Sequence, residues 1–264
     1  MKDYLAIHNK RERVTKNIAD DNIGLVLEDP PFGTRDEEWD DYDAYKKNIK
    51  LWLSEGMRIT KHTLIWFCAS RTERPIFRAL EDLDPFGKWT IRRHTWNKPE
   101  GSQYNGASNN NIWYSSEFIL VISKDWKLTT SFGKDMPFAY DTFNYRTVPQ
   151  AVNQHACSKP VPLLRKLMGA YSAPGDTVFD GFAGTFSTGV AAVDMGRRCI
   201  LVEQSPLKDK PVTDFKGDNP DHFGFGTKRI ERHLSQPRMF VGSSDDLETE
   251  EPENDTYNLF PEEK

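Results

Sequence analysis

The sequence predicts an α/β fold with a mainly parallel, twisted sheet flanked by helices. Compact apolar runs at 23–28 and 62–70 are typical of buried strands. Segments 42–60 and 160–172 alternate with these runs; the first is compatible with an amphipathic helix, and the second has a proline near its start. Residues 175–204 then give a strand, a glycine-containing turn, a helix and another strand, which is the pattern of a βαβ unit.

The other elements are assigned by the same patterns. Residues 73–83 predict a helix whose first turn admits Pro75. Residues 88–98 and 115–125 predict two strands around a polar loop, and 226–234 predict a last short helix. There is no internal repeat and no low-complexity linker before the end of this series.

Charge divides the chain into two parts. The sequence has 264 residues, 37% of them hydrophobic, which is enough for one sizeable core. Residues 241–264 hold nine acids and one lysine, a net charge of −8, so the rest of the chain carries +3 of the total −5. We therefore expect one domain over 1–239 and an acidic, disordered tail over 240–264. A mildly basic domain permits a polyanionic partner.

Cysteines, histidines and the start of the chain indicate the compartment. Cys68, Cys157 and Cys199 lie far apart in no metal-like spacing, and the six histidines show no ligand spacing either. We expect reduced thiols and no metal. The charged start lacks a signal sequence, and no apolar run reaches the length of a membrane span. These features predict a cytoplasmic protein without a membrane segment.

Two strand ends carry candidate chemistry. The first strand stops abruptly at Asp29-Pro30-Pro31-Phe32, because prolines donate no ladder hydrogen bond and stiffen the backbone. By itself this tetrapeptide is most simply a strand terminator. The strand before the glycine turn ends at Asp180. The strand after the next helix ends at Glu203, 23 residues later. Glycines in the intervening turn with an acid at this distance suit an adenosine-containing cofactor, although an ordinary βαβ unit explains the glycines equally well.

Taken together, the motifs resemble those of DNA amino-methyltransferases. The stretch "DGFAGTFSTGVAAVDMGRRCILVEQSP" is similar to their S-adenosylmethionine motif, "QHACSKPVPLLRKLM" (154–168) to the segment before it, and "EDPPFG" to their catalytic Asp-Pro-Pro-aromatic. Trp96 and Lys98 at one strand end, followed by "SEFILVISK", are weaker marks of the family. The resemblance covers roughly residues 20–235.

The order of the motifs resembles the circularly permuted beta group of this family. The catalytic tetrapeptide comes first, and the cofactor motif follows about 145 residues later. The resemblance implies a Rossmann-like methyltransferase fold in which the two strand ends are neighbours. Both sites would then lie at the carboxyl edge of the sheet, where α/β proteins bind ligands.

The resemblance also implies roles for these residues. An exocyclic amine is a poor nucleophile, so the Asp29 carboxylate and the Pro30 carbonyl would each accept one of its N–H groups. Pro31 would help to stiffen the backbone, and Phe32 would stack on the flipped base. The resemblance places Ser158 and Lys159 near the methionine carboxylate of S-adenosylmethionine. The remaining cofactor-binding residues would be Asp180, Phe182, Ala183, Gly184, Thr185, Ser187, Thr188, Glu203 and Gln204.

Two residues depart from the family pattern. Gly181 stands where proline is common, and Phe186 stands where the second turn glycine is common. If Phe186 lies against the amino-acid end of the cofactor, the turn must adopt a slightly different backbone conformation.

The aspartate of the tetrapeptide favours adenine N6 as the methyl acceptor. Cytosine N4 is the alternative within the class, and a non-catalytic DNA-binding or cofactor-sensing subunit is the alternative outside it. An intact Asp-Pro-Pro-Phe argues against the second, since a subunit without turnover has no chemical need for the acid.

DNA is the expected partner, held by two short insertions at about 98–116 and 127–154. Asparagines can read adenine edges, and arginine or lysine side chains can meet phosphates, although turn-forming asparagines and ordinary surface charges explain these residues as well. The brevity of the second insertion suits a short target site, or a second copy or accessory subunit that shares the recognition. The candidates are Arg71, Arg92, Arg93, Lys98, Asn109, Asn110, Asn111 and Arg146.

Overall fold

A computed structural model describes residues 3–33, 41–99, 115–124, 140–148, 158–207, 212–213 and 220–236. The strands within these ranges are β1 (Tyr4–His8), β2 (Ile23–Glu28), β3 (Thr60–Cys68), β4 (Thr90–Asn97), β5 (Ser116–Ser123), β6 (Thr142–Asn144), β7 (Thr177–Asp180) and β8 (Arg198–Glu203). The helices are α1 (Arg11–Thr15), α2 (Tyr42–Ile59), α3 (Ser70–Leu83), α4 (Val161–Tyr171), α5 (Ser187–Asp194) and α6 (His222–Ser235).

All eight of these strands belong to one sheet, in the order β1-β8-β7-β2-β3-β5-β4-β6. Neighbouring strands are parallel except where β5 pairs antiparallel with β3 and β4. The predicted α/β fold with a mainly parallel sheet is confirmed. Because β5 alone runs the other way, its first residues lie at the same edge as the last residues of the parallel strands.

Alternating residues of each buried strand feed two hydrophobic cores, one on each face of the sheet. Leu25 and Leu27 of β2 pack with α4, α5 and α6, through residues such as Leu167 and Ile230. Val26, between them, packs on the opposite face with α2 and α3. Both faces of the central strands are covered, which explains why their sequences are continuously apolar.

Three short elements were not predicted from the sequence, namely β1, α1 and β6.

The helix α3 also begins earlier than expected, at Ser70, so Pro75 lies inside it and not in its first turn. Proline has no N–H, so the carbonyl of Arg71 lacks its helical donor from residue 75. The hydroxyl of Tyr42 donates to that carbonyl at 3.3 Å, which compensates for the missing bond and ties α3 to the start of α2.

A buried ion pair joins α1 to the end of β2. The Arg11 guanidinium donates twice to the Glu28 carboxylate, from Nε at 2.7 Å and from Nη2 at 2.8 Å, and the two side chains are 1% and 0% exposed. Nη2 also donates to the carbonyl of Trp52 in α2 at 2.9 Å. Burial raises the pKa of Glu28, and the guanidinium opposes that rise. One side chain thus connects α1, β2 and α2.

None of the helices that the structure describes is both long and apolar enough to cross a membrane. Cys68 and Cys199 are free thiols buried in the sheet. Cys157 and the acidic tail over 240–264 lie outside the described residues.

The Arg11–Glu28 pair predicts a large loss of stability when one partner is removed. Arg11→Met leaves a buried carboxylate without its cation and should lower the free energy of unfolding by about 3–5 kcal/mol. Urea denaturation followed by circular dichroism measures this. Lys50→Met is the matched control, because Lys50 forms a 2.8 Å ion pair with Asp82 in which both side chains are solvent-exposed. This substitution should lower the free energy of unfolding by less than about 1 kcal/mol. Equal losses in the two variants would contradict the structural role of the buried pair.

Candidate active site

Two strand ends meet at one edge of the sheet. The strands β2 and β7 are parallel neighbours, with Leu25 opposite Val178 and Val26 opposite Phe179. Asp29 follows the last residue of β2, and Asp180 is the last residue of β7. The prediction that the tetrapeptide and the glycine turn are spatial neighbours, despite their distance in the chain, is confirmed.

Asp29 has one carboxylate oxygen engaged and one available. Lys159 Nζ donates to Oδ2 at 2.5 Å. Oδ1 is buried and has no hydrogen-bond partner among the described residues. Burial raises the pKa of Asp29 to about 6; the Glu117 carboxylate adds to this rise, whereas Lys159 and Lys98 oppose it. An unfilled acceptor in a buried carboxylate is costly unless a ligand donates to it.

Lys159 lies beside the tetrapeptide. Its ammonium group binds Asp29 and lies 5.5 Å from the centre of the Phe32 ring. A lysine that is 7% exposed requires such a nearby carboxylate. Ser158, the preceding residue, contacts the glycine turn, with its Oγ 3.0 Å from Thr185 Oγ1.

The turn after β7 is held by its own side chains. Phe182 N donates to Asp180 Oδ1 at 2.9 Å, and the Thr188 hydroxyl also bonds Asp180. Burial is the main cause that raises the pKa of Asp180, to about 8. Ala183 N donates to the carbonyl of Val202 at 3.0 Å, which fixes the turn against β8. The predicted cofactor residues of this turn are therefore in one place.

Glu203 faces this turn from the end of β8. Its Oε2 accepts from Gly184 N and its Oε1 from Ser205 N, both at 2.7 Å. The backbone N–H of Gln204 also bonds this carboxylate, so these bonds orient the acid and leave acceptor capacity for a ribose hydroxyl. Gln204, the next residue, is exposed. The oriented Glu203 carboxylate beside the glycine turn fits an adenosine-containing cofactor.

Gly181 has a steric reason to be glycine. A Cβ at this position would lie 2.5 Å from Arg11 Cγ and 2.6 Å from Glu28 Oε1. Its backbone N–H also bonds the Glu28 carboxylate, which proline could not do. The departure from the family pattern at 181 therefore accompanies the buried Arg11–Glu28 pair.

Phe186 retains the backbone conformation of a glycine. Its φ of 63° and ψ of 35° are left-handed, the conformation that glycine adopts readily. The side chain is fully buried, meets Phe223 edge-on at 5.8 Å, and fills the space that a Cβ on Gly226 would need. Burial of the ring against α6 offsets the backbone strain of about 1–2 kcal/mol.

Two further side chains support the turn. Phe182 lies edge-on to Trp52 at 5.0 Å, so part of its ring belongs to the core beneath the site. Arg229 of α6 donates to the carbonyl of Thr185 and to Ser187 Oγ, both at 3.0 Å. Sequence reasoning missed Arg229 and Arg11, because only the tertiary structure brings these helices to the turn.

Glu117 is the other missed residue, and a sequence signal for it existed. It lies at the start of β5 and bonds Lys98 at 2.5 Å. Lys98 was expected to meet phosphates; instead it is 8% exposed and its charge is directed into the site. The family mark "Trp-x-Lys" contains Lys98. Glu117 is the second residue of the strand that follows this mark.

The remaining DNA candidates that the structure describes come from three parts of the chain, namely α3, β4 and the segment after β6. Arg71 is exposed above the Tyr42 ring, at 4.1 Å, and Arg146 is exposed after β6. Arg92 and Arg93 are adjacent in β4 and so point to opposite faces of the sheet. Arg93 pairs with Glu73 at 3.2 Å. Asn109, Asn110 and Asn111, like most of both insertions, lie outside the described residues.

The site combines a cofactor turn with a carboxylate that has a free acceptor atom, at one edge of an α/β sheet. This combination is typical of enzymes that hold a nucleoside-containing cofactor next to a proton-bearing substrate. Among the described residues, no group of three or more histidine, cysteine or acidic side chains is placed to hold a metal ion.

Comparison with known proteins identifies the family. Residues 23–207 match the N6_N4_Mtase model, described as DNA methylase. The chain therefore belongs to the N6/N4 DNA methylase family, as the motifs predicted.

Three similar proteins illustrate the match. Type II methyltransferase M.HinfI of Haemophilus influenzae is 28% identical over 229 residues, covering 72% of this chain and 61% of its own length. The DNA adenine methyltransferase YhdJ of Escherichia coli is 27% identical over 232 residues, covering 75% and 77%. The crystal structure of the M1.HpyAVI–SAM complex shares the fold, with a TM-score of 0.61 at 18% identity, covering 86% of this chain and 99% of that one. This chain thus spans less than two thirds of the length of M.HinfI.

The left-handed conformation of Phe186 predicts that a glycine variant is more stable than an alanine variant, the reverse of the order inside a helix. Removing the buried ring costs about 3–5 kcal/mol in either variant. Alanine retains the strain of positive φ and glycine does not, so Phe186→Gly should be more stable than Phe186→Ala by about 1 kcal/mol.

Urea denaturation of both variants measures the difference. Val190 in α5 provides the control, because Val190→Gly inside a helix should be less stable than Val190→Ala by about 1 kcal/mol. The same order at both positions would refute the left-handed conformation of Phe186.

Proposed function

We propose that this chain transfers a methyl group from S-adenosylmethionine to the exocyclic N6 of a flipped adenine in DNA. The observation that carries the proposal is Asp29 at the end of β2: its Oδ1 is a buried acceptor with no partner among the described residues, next to the cofactor turn. Membership of the N6/N4 DNA methylase family supports the reaction class. The name of YhdJ as an adenine methyltransferase supports the choice of base.

S-adenosylmethionine would supply the methyl group, whose carbon bonds to N6 as its bond to sulfur breaks. The turn from Asp180 to Thr188 and the acid Glu203 would hold this cofactor, with Ser158 at its border. Glu203 already accepts backbone N–H groups of Gly184, Ser205 and Gln204, which orient its carboxylate toward the turn and leave acceptor capacity for a ribose hydroxyl. The fit therefore rests on the oriented carboxylate and on the backbone of the glycine turn.

Asp29 would prepare the amine for the reaction. The lone pair of an exocyclic amine is delocalised into the ring, and an acceptor on each N–H draws the nitrogen towards tetrahedral geometry. Asp29 Oδ1 would accept one N–H and the Pro30 carbonyl the other, while Pro31 limits movement of the backbone. Positive charge that develops on the nitrogen lies beside a carboxylate, and the surplus proton leaves the nitrogen after transfer.

Phe32 and the exposed arginines would position the DNA. The Phe32 ring is partly buried at the edge of the site and offers a surface on which an extruded base can stack. Arg71, Arg92 and Arg146 are exposed and would contact phosphates, together with the segments over 98–116 and 127–154. We infer a catalytic unit over 1–239, with 240–264 as an acidic appendage.

The first test identifies the methylated base. The protein is incubated with S-adenosylmethionine and unmethylated DNA, and the DNA is digested to nucleosides for mass spectrometry. N6-methyladenine is the expected product. N4-methylcytosine would keep the mechanism and change the base. The absence of any methylated base, with cofactor binding shown by calorimetry, would favour a non-catalytic subunit or one that requires a partner.

Replacement of the acceptor should separate chemistry from binding. Asp29→Ala should lower the rate of methyl transfer at least about 100-fold, because the amine loses its charged acceptor. Calorimetry should show that binding of S-adenosylmethionine is largely kept. Asp82→Ala, an exposed aspartate in α3, is the control and should leave both quantities unchanged. Turnover of Asp29→Ala at the wild-type rate would refute the mechanism.

The pKa of Asp29 predicts the acid limb of the pH–rate profile, that is, how the rate falls as the pH is lowered. The charged carboxylate is the acceptor, so activity is present above its pKa of about 6 and is lost as the carboxylate binds a proton below it. We expect kcat/KM for DNA, which reports the ionisation of the DNA-free enzyme, to fall about tenfold per pH unit below this value. A kcat/KM that stays constant between pH 5 and 8 would contradict the role of Asp29.

A further inference from the structure

Four charged side chains of alternating sign lie in a row that ends on Asp29. Asp29 binds Lys159 at 2.5 Å, Lys159 Nζ lies 3.3 Å from Glu117 Oε2, and Glu117 Oε1 accepts from Lys98 at 2.5 Å. The side chains of Asp29, Lys159, Glu117 and Lys98 are 21%, 7%, 18% and 10% exposed. We refer to these four residues as the charge row.

The fold brings the charge row together from four separate segments. Asp29 follows β2, Lys98 follows β4, and Lys159 precedes α4. Glu117 joins them because β5 is antiparallel to its neighbours, so that its second residue lies at the edge where β2 and β4 end. This placement uses the one reversal of direction in the described sheet.

Aromatic rings fix the two cations of the row. Lys159 Nζ lies 5.1 Å from the centre of the Phe67 ring and 5.8 Å from that of Trp96. Lys98 Nζ lies 4.7 Å from the Trp96 ring on the same side of the site. Rings at these distances attract ammonium groups and restrict their movement. The cations therefore have defined positions, unlike those of surface ion pairs.

We propose that Glu117 and Lys98 are positioning residues for methyl transfer: through Lys159 they hold the Asp29 carboxylate in place, with Oδ1 directed to the incoming amine. This inference rests on the proposed function, because it assumes that Asp29 accepts an N–H of the substrate. Lys159 occupies Oδ2 and so leaves Oδ1 as the free acceptor.

Glu117 has a second consequence for the reaction. A lone ammonium group beside Asp29 would oppose the positive charge that develops on the amine nitrogen. Glu117 counterbalances Lys159, and Lys98 in turn counterbalances Glu117, so the row has no net charge when all four groups are ionised. The acceptor is held by a cation without a net positive field at the reacting atom.

Other charged or titratable groups also face Asp29. Asp180 at the end of β7 and the Cys68 thiol at the end of β3 interact with it electrostatically. Glu28, the preceding residue, is neutralised by Arg11. Since the variants described below change none of these three groups, differences between the variants report on the charge row.

Opposite shifts of the acid limb test the proposal. Lys159→Gln removes a cation and should move the acid limb upward by about 1 pH unit or more. Glu117→Gln removes an anion at similar size and should move it downward by about 1 pH unit, with a lower maximal rate because Lys159 loses a support. Both limbs are read from kcat/KM for DNA, which reports the DNA-free enzyme, and the maximal rate is measured at saturating S-adenosylmethionine and DNA. Glu55→Gln, which breaks a pair with Arg58 in α2 at 2.8 Å, is the matched control and should shift nothing.

A further variant guards against failure to fold. If Glu117→Gln does not fold, Lys98→Met should move the acid limb upward, by less than Lys159→Gln does, since Lys98 contributes less to the pKa of Asp29. An acid limb that coincides with that of the wild type in Glu117→Gln, or in Lys98→Met where Glu117→Gln does not fold, would overturn the proposal.

The outcomes distinguish this inference from the proposed function. If the wild type methylates DNA and Asp29→Ala does not, an unshifted acid limb in the charge-row variants refutes only the positioning role of Glu117 and Lys98. If the wild type makes no methylated base, or Asp29→Ala remains active, the proposed function fails first, and the inference fails with it.

Discussion

The buried Arg11–Glu28 pair is the constraint on which both parts of the site depend. A carboxylate buried at the end of β2 must have a cation, and Arg11, the first residue of α1, supplies it. The same pair excludes any side chain at 181 and takes a hydrogen bond from its backbone. The tetrapeptide starts one residue after Glu28, and the cofactor turn starts at Asp180. One interaction therefore fixes the relative position of the acceptor and the cofactor turn.

The two adjacent acids at this strand end have separate tasks. Glu28 has its charge satisfied by Arg11 and serves the structure. Asp29 points to the other side of the strand and keeps one oxygen without a partner among the described residues. Alternation along a strand makes this division possible, because consecutive side chains point to opposite faces. A structural carboxylate thus lies next to a reactive one, and neither competes for the cation of the other.

The sequence predicted the sheet, its main helices and both strand ends, because apolar runs and turn residues are local signals. It did not predict β1, α1 or β6, which are short and depend on pairing with distant strands. The same limit applies to the site. The family marks include the strand that contains Glu117, but they do not indicate that it lies beside Lys159 and Asp29, because that contact depends on the direction of β5. Phe186 looked like a change in the turn, but its ring contributes to packing against α6.

The reversal of direction at β5 divides the described strands of the sheet into two groups. The strands β1, β8, β7, β2 and β3 form a parallel half that contains the tetrapeptide and the cofactor turn. The segments that join β4 to β5 and β5 to β6 leave from the other half, on the far side of β3. None of the residues that pair β2 with β7 belongs to those segments, whereas Lys98 and Glu117 of the charge row lie in the other half. The pairing that places the tetrapeptide beside the cofactor turn and the charges of Lys98 and Glu117 thus come from opposite sides of β3.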